Sequence, residues 1–505
     1  MAAASLREYI LDCCEKHGSL LCCTEIRRDQ QYTYTYAELL HALRLIGSYL
    51  SSLNTTHHHT ALLGRTSFEW IAAYLGALCY GTVVIPLNAN ASSEDLLQQF
   101  LHTDADILLY DAAEETTAKL IAEETGCSLF CLNSPSGQAA SFSSLRAKGE
   151  ILPMPPASPS RVAEILFTSG TTGKQKAVML TDDNILCSVL FGIESFSISP
   201  SSVAVSVLPN HHAYELAVGI LIPLHFGVTI AAMDRMIHFV RNLAVFRPEV
   251  ILAVPALLET LRKEILRVQA GGAEDTLQLL GGNLKMLVCG GASLRDELAA
   301  FFRNLGIPVL QGYGLTECGP IVSCDSSRRQ HKLGRVSPFC QVICADGELL
   351  VRGRNVMAGY YRDPEETARV IRDGWFHTGD LGSVDPDGYL SLSGRLKNLI
   401  ILSNGENVSP EEIEDLLSGE AVIAGCRVFG EDDLIAAEIC PDPSRIPQPG
   451  SSDPKEAVWA AVRRVNQSLP KYKQIERIHF RQDPFPMTST QKIIRNNQQG
   501  GTENE

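Results

Sequence analysis

The sequence predicts an α/β protein with a large N-terminal domain of layered helices and mostly parallel sheets, followed by a small α+β lobe. From about residue 32 to residue 395, short apolar runs alternate with amphipathic segments, as strands alternate with crossover helices in parallel sheets. After residue 346 the pattern changes to short strands separated by glycine turns. A chain of 505 residues is long enough for two such parts.

Four apolar runs in the large domain predict buried strands. They are VAVSVLP (203–209), VTIAAM (228–233), EVILAVP (249–255) and LKMLVCGG (284–291). Two segments between or after them, ELAVGILIPLHFG (215–227) and LRDELAAFFRNLG (294–306), have apolar residues at helical spacing. This alternation favours a parallel sheet covered by helices.

The small lobe is predicted from shorter elements. Strands are expected in GELLVRG (347–353), YLSLSGR (389–395), NLIILSNG (398–405) and IERIHF (475–480), with a helix in EAVWAAVRRVNQSL (456–469). Another helix is expected to begin at Ser409, with Pro410 in the first turn and Glu412 closing a capping box. The last ten residues are polar and are expected to be disordered. We place the domain boundary between residues 394 and 395, giving domains 1–394 and 395–505.

Composition excludes several classes of function. Lys and Arg number 43 and Asp and Glu number 58, so the net charge of −15 argues against binding a nucleic-acid backbone or an anionic membrane. The 15 cysteines are an odd number and no signal peptide precedes them, so we expect a cytoplasmic protein. No apolar run reaches the roughly 18 residues of a membrane span. Small-molecule substrates fit this composition best.

The segment FTSGTTGKQK (167–176) follows the apolar run VAEILF (162–167) directly. Small hydroxyl residues, glycines and lysines at the end of a strand suit a site for phosphate oxygens. The spacing is not that of a P-loop, because Thr168 stands where the first glycine belongs and Gln175 where the magnesium-binding hydroxyl belongs. The loop therefore predicts a polyphosphate site of another kind.

Five further segments place polar residues in strand or turn context. They are LPNHHAYE (208–215), QGYGLTECG (311–319), GWFHTGDLG (374–382), GRLKNLIILSNGENVSPEEIE (394–414) and PMTSTQKI (486–493). Together with FTSGTTGKQK, in this order, they resemble the adenylate-forming (ANL) superfamily of acyl-CoA synthetases, peptide-synthetase adenylation domains and luciferases. The resemblance spans nearly the whole chain and implies a large domain joined to a small lobe by a hinge.

The resemblance implies an AMP-forming acid–thiol ligase. A carboxylate attacks the α-phosphate of ATP, which gives acyl-AMP and pyrophosphate, and a thiol then attacks the acyl carbon and releases AMP. The enzyme's contribution to such a reaction is positioning and neutralisation of charge. The cofactors implied are ATP and Mg²⁺, with coenzyme A or the phosphopantetheine of a separate carrier protein as acceptor.

The resemblance also assigns nucleotide-binding residues. The β- and γ-phosphates would be held by Thr168, Ser169, Gly170, Thr171, Thr172, Gly173 and Lys174. Adenine would lie against Tyr313, with room provided by Gly291, Ala292 and Gly312. Thr316 would contact the α-phosphate and Glu317 would bind Mg²⁺, a hard cation that prefers oxygen ligands. Asp380 would accept hydrogen bonds from the ribose hydroxyls.

The remaining assignments concern the lobes and the acid. By resemblance, Arg395 lies at the junction between lobes and Lys397 at the hinge. Lys492 would be the catalytic lysine that bridges carboxylate and phosphate oxygens. His212 would be an aromatic gate beside the carboxylate of the acid.

A medium- to long-chain fatty acid is the leading substrate, because the hinge segment resembles that of long-chain fatty acyl-CoA synthetases. Ala213 stands where amino-acid-activating relatives have an aspartate, although nearby Glu215 keeps amino acids, like aryl acids, as alternatives. Gly405 marks the expected tunnel for the pantetheine arm of the acceptor. Ile401 replaces a lysine that some relatives have, which alters contacts to the nucleotide.

A non-catalytic nucleotide sensor is the alternative from another class. It is motivated by departures from the family pattern at Gln175, Ala177 and Gln491. The presence together of Lys174, Glu317, Asp380, Arg395 and Lys492 favours an enzyme.

Overall fold

The structure is a computed structural model of the chain. It describes residues 4–28, 30–134, 141–148, 150–168, 175–233, 238–270, 276–324, 333–403, 406–442, 445, 454–487 and 493. Contacts divide the chain into two compact units. The first contains residues 1–342, 351–376 and 387–389, and the second contains residues 343–350, 377–386 and 390–505. The domain boundary after residue 394 stays a prediction.

The described helices, in chain order, are α1 Leu6–Lys16, α2 Tyr36–Ser52, α3 Phe68–Tyr80, α4 Ser93–His102, α5 Glu115–Thr125, α6 Phe142–Lys148, α7 Asp182–Ser195, α8 Ile222–Phe226, α9 Phe239–Phe246, α10 Pro255–Ala270, α11 Thr276–Leu279, α12 Asp296–Asn304, α13 Pro364–Val370, α14 Pro410–Leu417 and α15 Pro454–Ser468. A π-helical stretch, Glu215–Leu221, runs into α8. Short 3-10 turns lie at Thr316–Cys318 and Leu396–Asn398.

The strands of the first half are β1 Leu21–Arg27, β2 Gln30–Thr35, β3 His59–Leu63, β4 Val83–Leu87, β5 Ile107–Tyr110, β6 Ser128–Cys131, β7 Val162–Thr168, β8 Lys176–Thr181, β9 Val203–Ser206, β10 Thr229–Ala232 and β11 Val250–Ala253. Those of the second half are β12 Met286–Cys289, β13 Val309–Tyr313, β14 Ser323–Cys324, β15 Arg335–Val336, β16 Cys340–Ala345, β17 Glu348–Gly353, β18 Gly359–Tyr360, β19 Ile371–Arg372, β20 Trp375–Val384, β21 Leu390–Arg395, β22 Ile400–Ile401, β23 Asn407–Val408, β24 Ile423–Glu431, β25 Leu434–Pro441 and β26 Ile475–Phe480.

Two large sheets form the first unit. One has nine strands in the order β15-β14-β13-β12-β11-β9-β10-β1-β2, and the strands from β13 to β1 are parallel. The other has seven strands in the order β18-β8-β7-β4-β3-β5-β6, with parallel pairing from β7 to β6 and an antiparallel β7–β8 hairpin. The predicted α/β class with mostly parallel sheets is confirmed.

Buried apolar side chains explain why these strands form. In the nine-stranded sheet, Val205, Ile251 and Leu287 are fully buried and pack with Phe302 of α12. In the seven-stranded sheet, the cluster is built from residues such as Leu63, Ile85 and Leu108 on neighbouring strands. Strands buried on both faces read as continuous apolar runs, which is why the sequence predicted them.

The second unit has small sheets of its own. β24, β25 and β26 form a three-stranded sheet, and β22 pairs with β23. β20 pairs antiparallel with β21, with Asp380 opposite Arg395. The core includes Val408, Ile413 of α14 and Val462 of α15.

Some predicted elements differ in detail. Only Ile400–Ile401 of the predicted strand 398–405 is a strand, and residues 404–405 lie outside the described residues. Segment 215–227 begins as a π-helix rather than an α-helix.

The helix after Ser409 has the predicted N-cap, but the capping-box prediction is wrong. Instead, the Ser409 hydroxyl donates to Glu411 Oε2 (2.9 Å) and Lys473 donates to Glu412 Oε2 (2.7 Å), so both partners are engaged elsewhere. The predicted disordered tail lies outside the described residues.

Within the described ranges, no helix combines the length and apolar character needed to span a membrane. All 15 cysteines are free thiols. Twelve of those free thiols, such as Cys14 and Cys23, are buried side chains that act as small apolar groups in the core.

Candidate active site

Two neighbouring strands of the nine-stranded sheet bring the predicted adenine-site residues to one edge. β12 and β13 are parallel and in register, with Leu287 opposite Val309, so both end at the same side of the sheet. Gly291 and Ala292 follow the end of β12, and Gly312 and Tyr313 complete β13. Ligands of α/β sheets bind at such strand ends, which makes this edge the candidate nucleotide site.

Glycine at two of these positions has a local reason. Gly291 has φ +80°, a left-handed conformation that favours glycine, and a β carbon there would meet only Val254 at 3.5 Å. At Gly312 a β carbon would lie 3.1 Å from the carbonyl oxygen of Ser323. Gly291 is exposed and Gly312 is half-buried, so this edge leaves backbone accessible to a flat ring, whereas Tyr313 is only 7% exposed.

Thr316 and Glu317 follow in the 3-10 turn after β13, and both are half-buried. The Glu317 carbonyl accepts from Met357 N (2.9 Å). Its carboxylate Oε1 accepts from the Tyr360 hydroxyl (3.1 Å). The carboxylate is thus held by a segment distant in sequence, and an oriented carboxylate oxygen suits a hard divalent cation.

The stem of the loop FTSGTTGKQK is the β7–β8 hairpin, in which Thr168 pairs with Lys176. The loop residues Ser169, Gly170, Thr171, Thr172, Gly173 and Lys174 lie outside the described residues. Gln175 Oε1 accepts from Gln99 Nε2 (2.6 Å), so this departure from the family pattern is fixed to α4. Lys176 pairs with Glu366 and lies 4.9 Å above the Tyr360 ring.

The segment LPNHHAYE leaves β9 at the same edge of the nine-stranded sheet. The His211 and His212 rings are 4.2 Å apart. Burial, and next the neighbouring His212, lower the pKa of His211 to about 3, so His211 stays neutral. Asn210 Nδ2 donates to the Gly64 carbonyl (3.1 Å) after β3, which joins this segment to the edge of the seven-stranded sheet.

Tyr214 connects the segment 208–215, which contains the candidate gate residue His212, to the turn at Gly290. Its hydroxyl donates to the Val288 carbonyl (3.2 Å), and a β carbon on Gly290 would lie 3.0 Å from Tyr214 Cζ. The ring therefore packs beside the turn that contains Gly291. Glu215 is fully buried, and a β carbon on Gly219 would lie 2.4 Å from Glu215 Oε1, so its carboxylate lies along its own π-helix.

The second unit holds Asp380, Arg395 and Lys397. Arg395 Nε lies 2.8 Å from Asp380 Oδ1, and the side chains are 40% and 4% exposed, respectively. Asp380 N donates to Thr378 Oγ1 (3.0 Å), whose hydroxyl donates to the Leu349 carbonyl (2.7 Å). Lys397 is exposed in the 3-10 turn Leu396–Asn398. The direct pair between Asp380 and Arg395 joins two motifs that the sequence alone does not bring together.

Two sequence-predicted residues of the second unit lie outside the described residues: Lys492, the candidate catalytic lysine, and Gly405, at the expected acceptor tunnel. Met487 and Ile493, on either side of the segment that carries Lys492, form an antiparallel bridge. The exposed fraction of Ile401 is 74%, so this side chain faces solvent.

Sequence reasoning missed Tyr360, Tyr214 and Asn210. Each is a polar side chain in or beside a predicted apolar or turn segment. A polar residue in such a position usually has only a structural role, so the sequence does not single it out. Asn210 stands directly before two histidines, and in the structure its amide is 6% exposed and therefore requires a hydrogen-bond partner.

The described residues fit a nucleotide with a divalent cation. The strand edge offers accessible glycine backbone, a buried tyrosine, and a carboxylate oriented by a phenol. The described part of the chain contains no group of three or more His, Cys, Asp or Glu arranged to hold a metal by itself. A site with one carboxylate suits Mg²⁺, which is commonly held by one or two carboxylates together with substrate phosphates.

Family models match nearly the whole chain. Residues 13–361 match the model described as AMP-binding enzyme, and residues 397–500 match the AMP-binding enzyme C-terminal domain.

Individual relatives cover similar spans. The long-chain-fatty-acid–CoA ligase FadD15 of Mycobacterium bovis is 26% identical over 91% of this chain and 89% of its own length. The feruloyl-CoA synthase of Amycolatopsis sp. is 29% identical over 91% of this chain and 92% of its own. A solved structure of O-succinylbenzoate coenzyme A synthetase from Bacillus subtilis, with ATP and a magnesium ion, has a TM-score of 0.77 at 23% identity and covers 97% of this chain and 98% of that chain.

That structural likeness establishes the fold, and the extent of the AMP-binding match establishes the family. The chain therefore belongs to the AMP-binding enzyme family and is, as predicted, an AMP-forming acid–thiol ligase of the adenylate-forming superfamily.

Proposed function

We propose that this enzyme uses ATP and Mg²⁺ to convert a medium- to long-chain fatty acid to acyl-AMP, and then transfers the acyl group to coenzyme A. The observation that carries the proposal is the shared edge of β12 and β13, where Gly291, Tyr313 and the Thr316–Glu317 turn meet. Two relatives that each cover 91% of this chain are a long-chain-fatty-acid–CoA ligase and a feruloyl-CoA synthase. We place the reaction in the cytoplasm, which agrees with 15 free cysteines.

In the first half-reaction, a carboxylate oxygen of the acid forms a bond to the α-phosphorus while the bond to the pyrophosphate oxygen breaks. Glu317 would hold Mg²⁺, which when bound neutralises charge on the phosphate oxygens. Thr316 would donate to the α-phosphate. The loop from Thr168 to Lys174 would hold the leaving pyrophosphate, and Lys492 would bridge the acid and the α-phosphate.

In the second half-reaction, the thiolate sulfur of the acceptor attacks the acyl carbon, and the bond to the AMP oxygen breaks. We assign Asp380 to the ribose hydroxyls, with Arg395 beside it. The division into domains 1–394 and 395–505, with a hinge at Lys397, is part of this proposal, and the start of the second family match at residue 397 supports it. His212 is assigned to the entrance of the acid site.

An aromatic acid is the second candidate substrate. The Tyr214 ring lies beside Gly290 as a flat wall in the segment 208–215, which also contains His212, and a feruloyl-CoA synthase is among the relatives. A flat wall favours stacking of aromatic rings, whereas an alkyl chain needs depth rather than flatness. The buried position of Glu215 along its own helix gives no comparable support to an amino acid substrate.

The test is thioester formation by the purified enzyme with ATP, Mg²⁺ and coenzyme A. The acids would be decanoate, palmitate, ferulate, benzoate and phenylalanine, and kcat/KM would be compared across them. The proposal predicts the highest kcat/KM for decanoate or palmitate. Higher values with ferulate or benzoate would move the substrate to aryl acids. Replacing coenzyme A by a phosphopantetheinylated carrier protein tests the acceptor, and faster transfer to the carrier would contradict coenzyme A.

A further inference from the structure

Residues 357–361, MAGYY, form a connection between the phosphate-loop hairpin and Glu317, and we call them the bridging segment. On one side, Ala358 N donates to the Met179 carbonyl (3.0 Å) and Tyr361 N to the Ala177 carbonyl (2.7 Å), both on β8. On the other side, Met357 N donates to the Glu317 carbonyl (2.9 Å). The loop stem and the candidate metal carboxylate are therefore tied to one short piece of backbone.

Side-chain contacts also link the bridging segment to Glu317 and to the loop stem. The Tyr360 hydroxyl donates to Glu317 Oε1 (3.1 Å), and Tyr360 is 4% exposed. Lys176, at the loop stem, lies 4.9 Å above the Tyr360 ring and pairs with Glu366 of α13. Arg369 donates twice to Glu366, at 2.6 Å each. The hydrogen bond from Arg369, followed by that from Lys176, lowers the pKa of Glu366 to about 2, so Glu366 is ionised.

These contacts fix the orientation of the Tyr360 side chain. The Tyr360 hydroxyl lies 3.1 Å from Glu317 Oε1, and because an ionised carboxylate oxygen only accepts hydrogen bonds, the phenol is the donor. A cation above a ring face is attracted by the ring's quadrupole, which holds the ring in place from the other side. An oriented phenol can therefore fix the carboxylate it bonds to.

We propose that Tyr360 is a positioning residue that orients the Glu317 carboxylate toward the metal of metal–ATP, and that Lys176 supports Tyr360. The inference rests on the proposed role of Glu317 as the metal-binding carboxylate. A phenol directs the carboxylate without adding a positive charge that would compete with a cation. Partners that orient a metal ligand typically contribute 10–100-fold to metal affinity.

The experiment measures Mn²⁺ binding to the full chain by electron paramagnetic resonance, in the presence of an ATP analogue that cannot release pyrophosphate. In Tyr360→Phe we expect Mn²⁺ affinity to fall by about 10-fold. Binding of the analogue with EDTA, measured by calorimetry, should stay within about twofold, because Tyr360 bonds to Glu317 and serves the metal. Phenylalanine keeps the ring and its packing, and a melting curve checks the fold.

Tyr361→Phe is the matched control. Tyr361 is the next residue, and its hydroxyl donates to Asp104 Oδ2 (2.7 Å) rather than to Glu317. This variant loses the same oxygen from the same segment, so we expect Mn²⁺ affinity unchanged within about twofold. If Tyr360→Phe and Tyr361→Phe weaken Mn²⁺ binding equally, or if Tyr360→Phe also weakens metal-free binding equally, the positioning role is overturned.

Two further variants separate this inference from the proposed function. Glu317→Gln should weaken Mn²⁺ binding more than Tyr360→Phe does. If Glu317→Gln leaves Mn²⁺ binding unchanged, the proposed metal role fails and the inference fails with it. If Glu317→Gln weakens binding but Tyr360→Phe does not, the inference alone is overturned. Lys176→Met should lower Mn²⁺ affinity by about threefold, since the Tyr360 hydroxyl remains.

Discussion

Two tyrosine–glutamate pairs in the first unit have nearly the same hydrogen bond but different surroundings. Tyr74 of α3 donates to Glu164 of β7 at 2.9 Å, and Tyr360 donates to Glu317 at 3.1 Å. Tyr74 is fully buried and Glu164 is 2% exposed, whereas Glu317 is half-buried at a strand edge. The chemistry of the pair is therefore the same, and its position in the fold differs.

Burial determines what each glutamate can do. Desolvation raises the pKa of Glu164 to about 7, although the hydrogen bond from Tyr74 acts against the rise. A carboxyl group buried among apolar residues gains a proton near neutral pH and cannot bind a cation from solution. Glu317, at an edge where a substrate could bind, can accept both the phenol and a ligand. Identical side-chain pairs thus serve the scaffold in one place and a candidate site in the other.

The largest expected effect comes from Glu317→Gln. The amide keeps the shape and one acceptor but loses the charge that we propose binds Mg²⁺, so kcat/KM for adenylation should fall by about 10²-fold or more. The matched substitution Glu164→Gln should change kcat/KM by less than about threefold. Initial rates of pyrophosphate release for both variants are the measurement. Equal losses in the two variants would show that the two pairs do not differ in role.

A smaller effect is expected at Asp380, which extends the comparison to a carboxylate with a charged partner. Arg395 lies 2.8 Å from Asp380, which is 3% exposed. Asp380→Asn loses the ion pair and one strong acceptor for ribose hydroxyls, so affinity for ATP should fall by about 10-fold.

The readout is calorimetric binding of ATP and of 2′,3′-dideoxy-ATP. The wild-type chain should discriminate between the two nucleotides, and Asp380→Asn should discriminate less. If Asp380→Asn lowers the affinity for both nucleotides by the same factor, Asp380 supports the fold rather than binding the ribose hydroxyls.

The smallest effect concerns stability against pH. The pKa of Glu164 is about 7 in the folded chain and 4.5 as an ordinary glutamate, so the folded state binds the proton more tightly. This stabilisation is fully present below pH 4.5 and is lost as pH rises through 7, a change of at most about 3 kcal/mol. Melting temperature should therefore fall between pH 5 and pH 8.

Glu164→Gln should make that fall shallower, because glutamine stays neutral throughout. Some dependence of the melting temperature on pH should remain, since burial also raises the pKa of Asp111 to about 7. Melting curves at intervals across pH 5 to pH 8 give the comparison. Parallel curves for the wild type and the variant would contradict a protonated Glu164.

Much of the fold could be predicted from the sequence because its strands are buried on both faces. Apolar runs such as residues 249–255 and 284–291 correspond to β11 and β12 within a few residues. The strand 398–405 was predicted too long, since an apolar run alone does not show where pairing ends. The π-helical start at Glu215 also has no signature in apolar spacing.

The candidate site was predicted in part. Tyr313 and Glu317 stand in recognisable motifs, and their positions at one sheet edge follow from parallel pairing of β12 and β13. Tyr360 could not be predicted, because its contact with Glu317 joins residues 43 positions apart. Long-range side-chain contacts of this kind depend on tertiary packing, which a local pattern does not contain.

The central claim is that the chain forms an acyl-adenylate, and the most direct test is exchange of labelled pyrophosphate into ATP without any thiol. We predict exchange that requires a fatty acid and Mg²⁺, and that falls by at least about 10²-fold in Lys492→Ala, while binding of ATP persists. Exchange driven only by amino acids would contradict the proposed substrate. No exchange with any acid, together with intact ATP binding, would contradict the central claim and favour a nucleotide sensor.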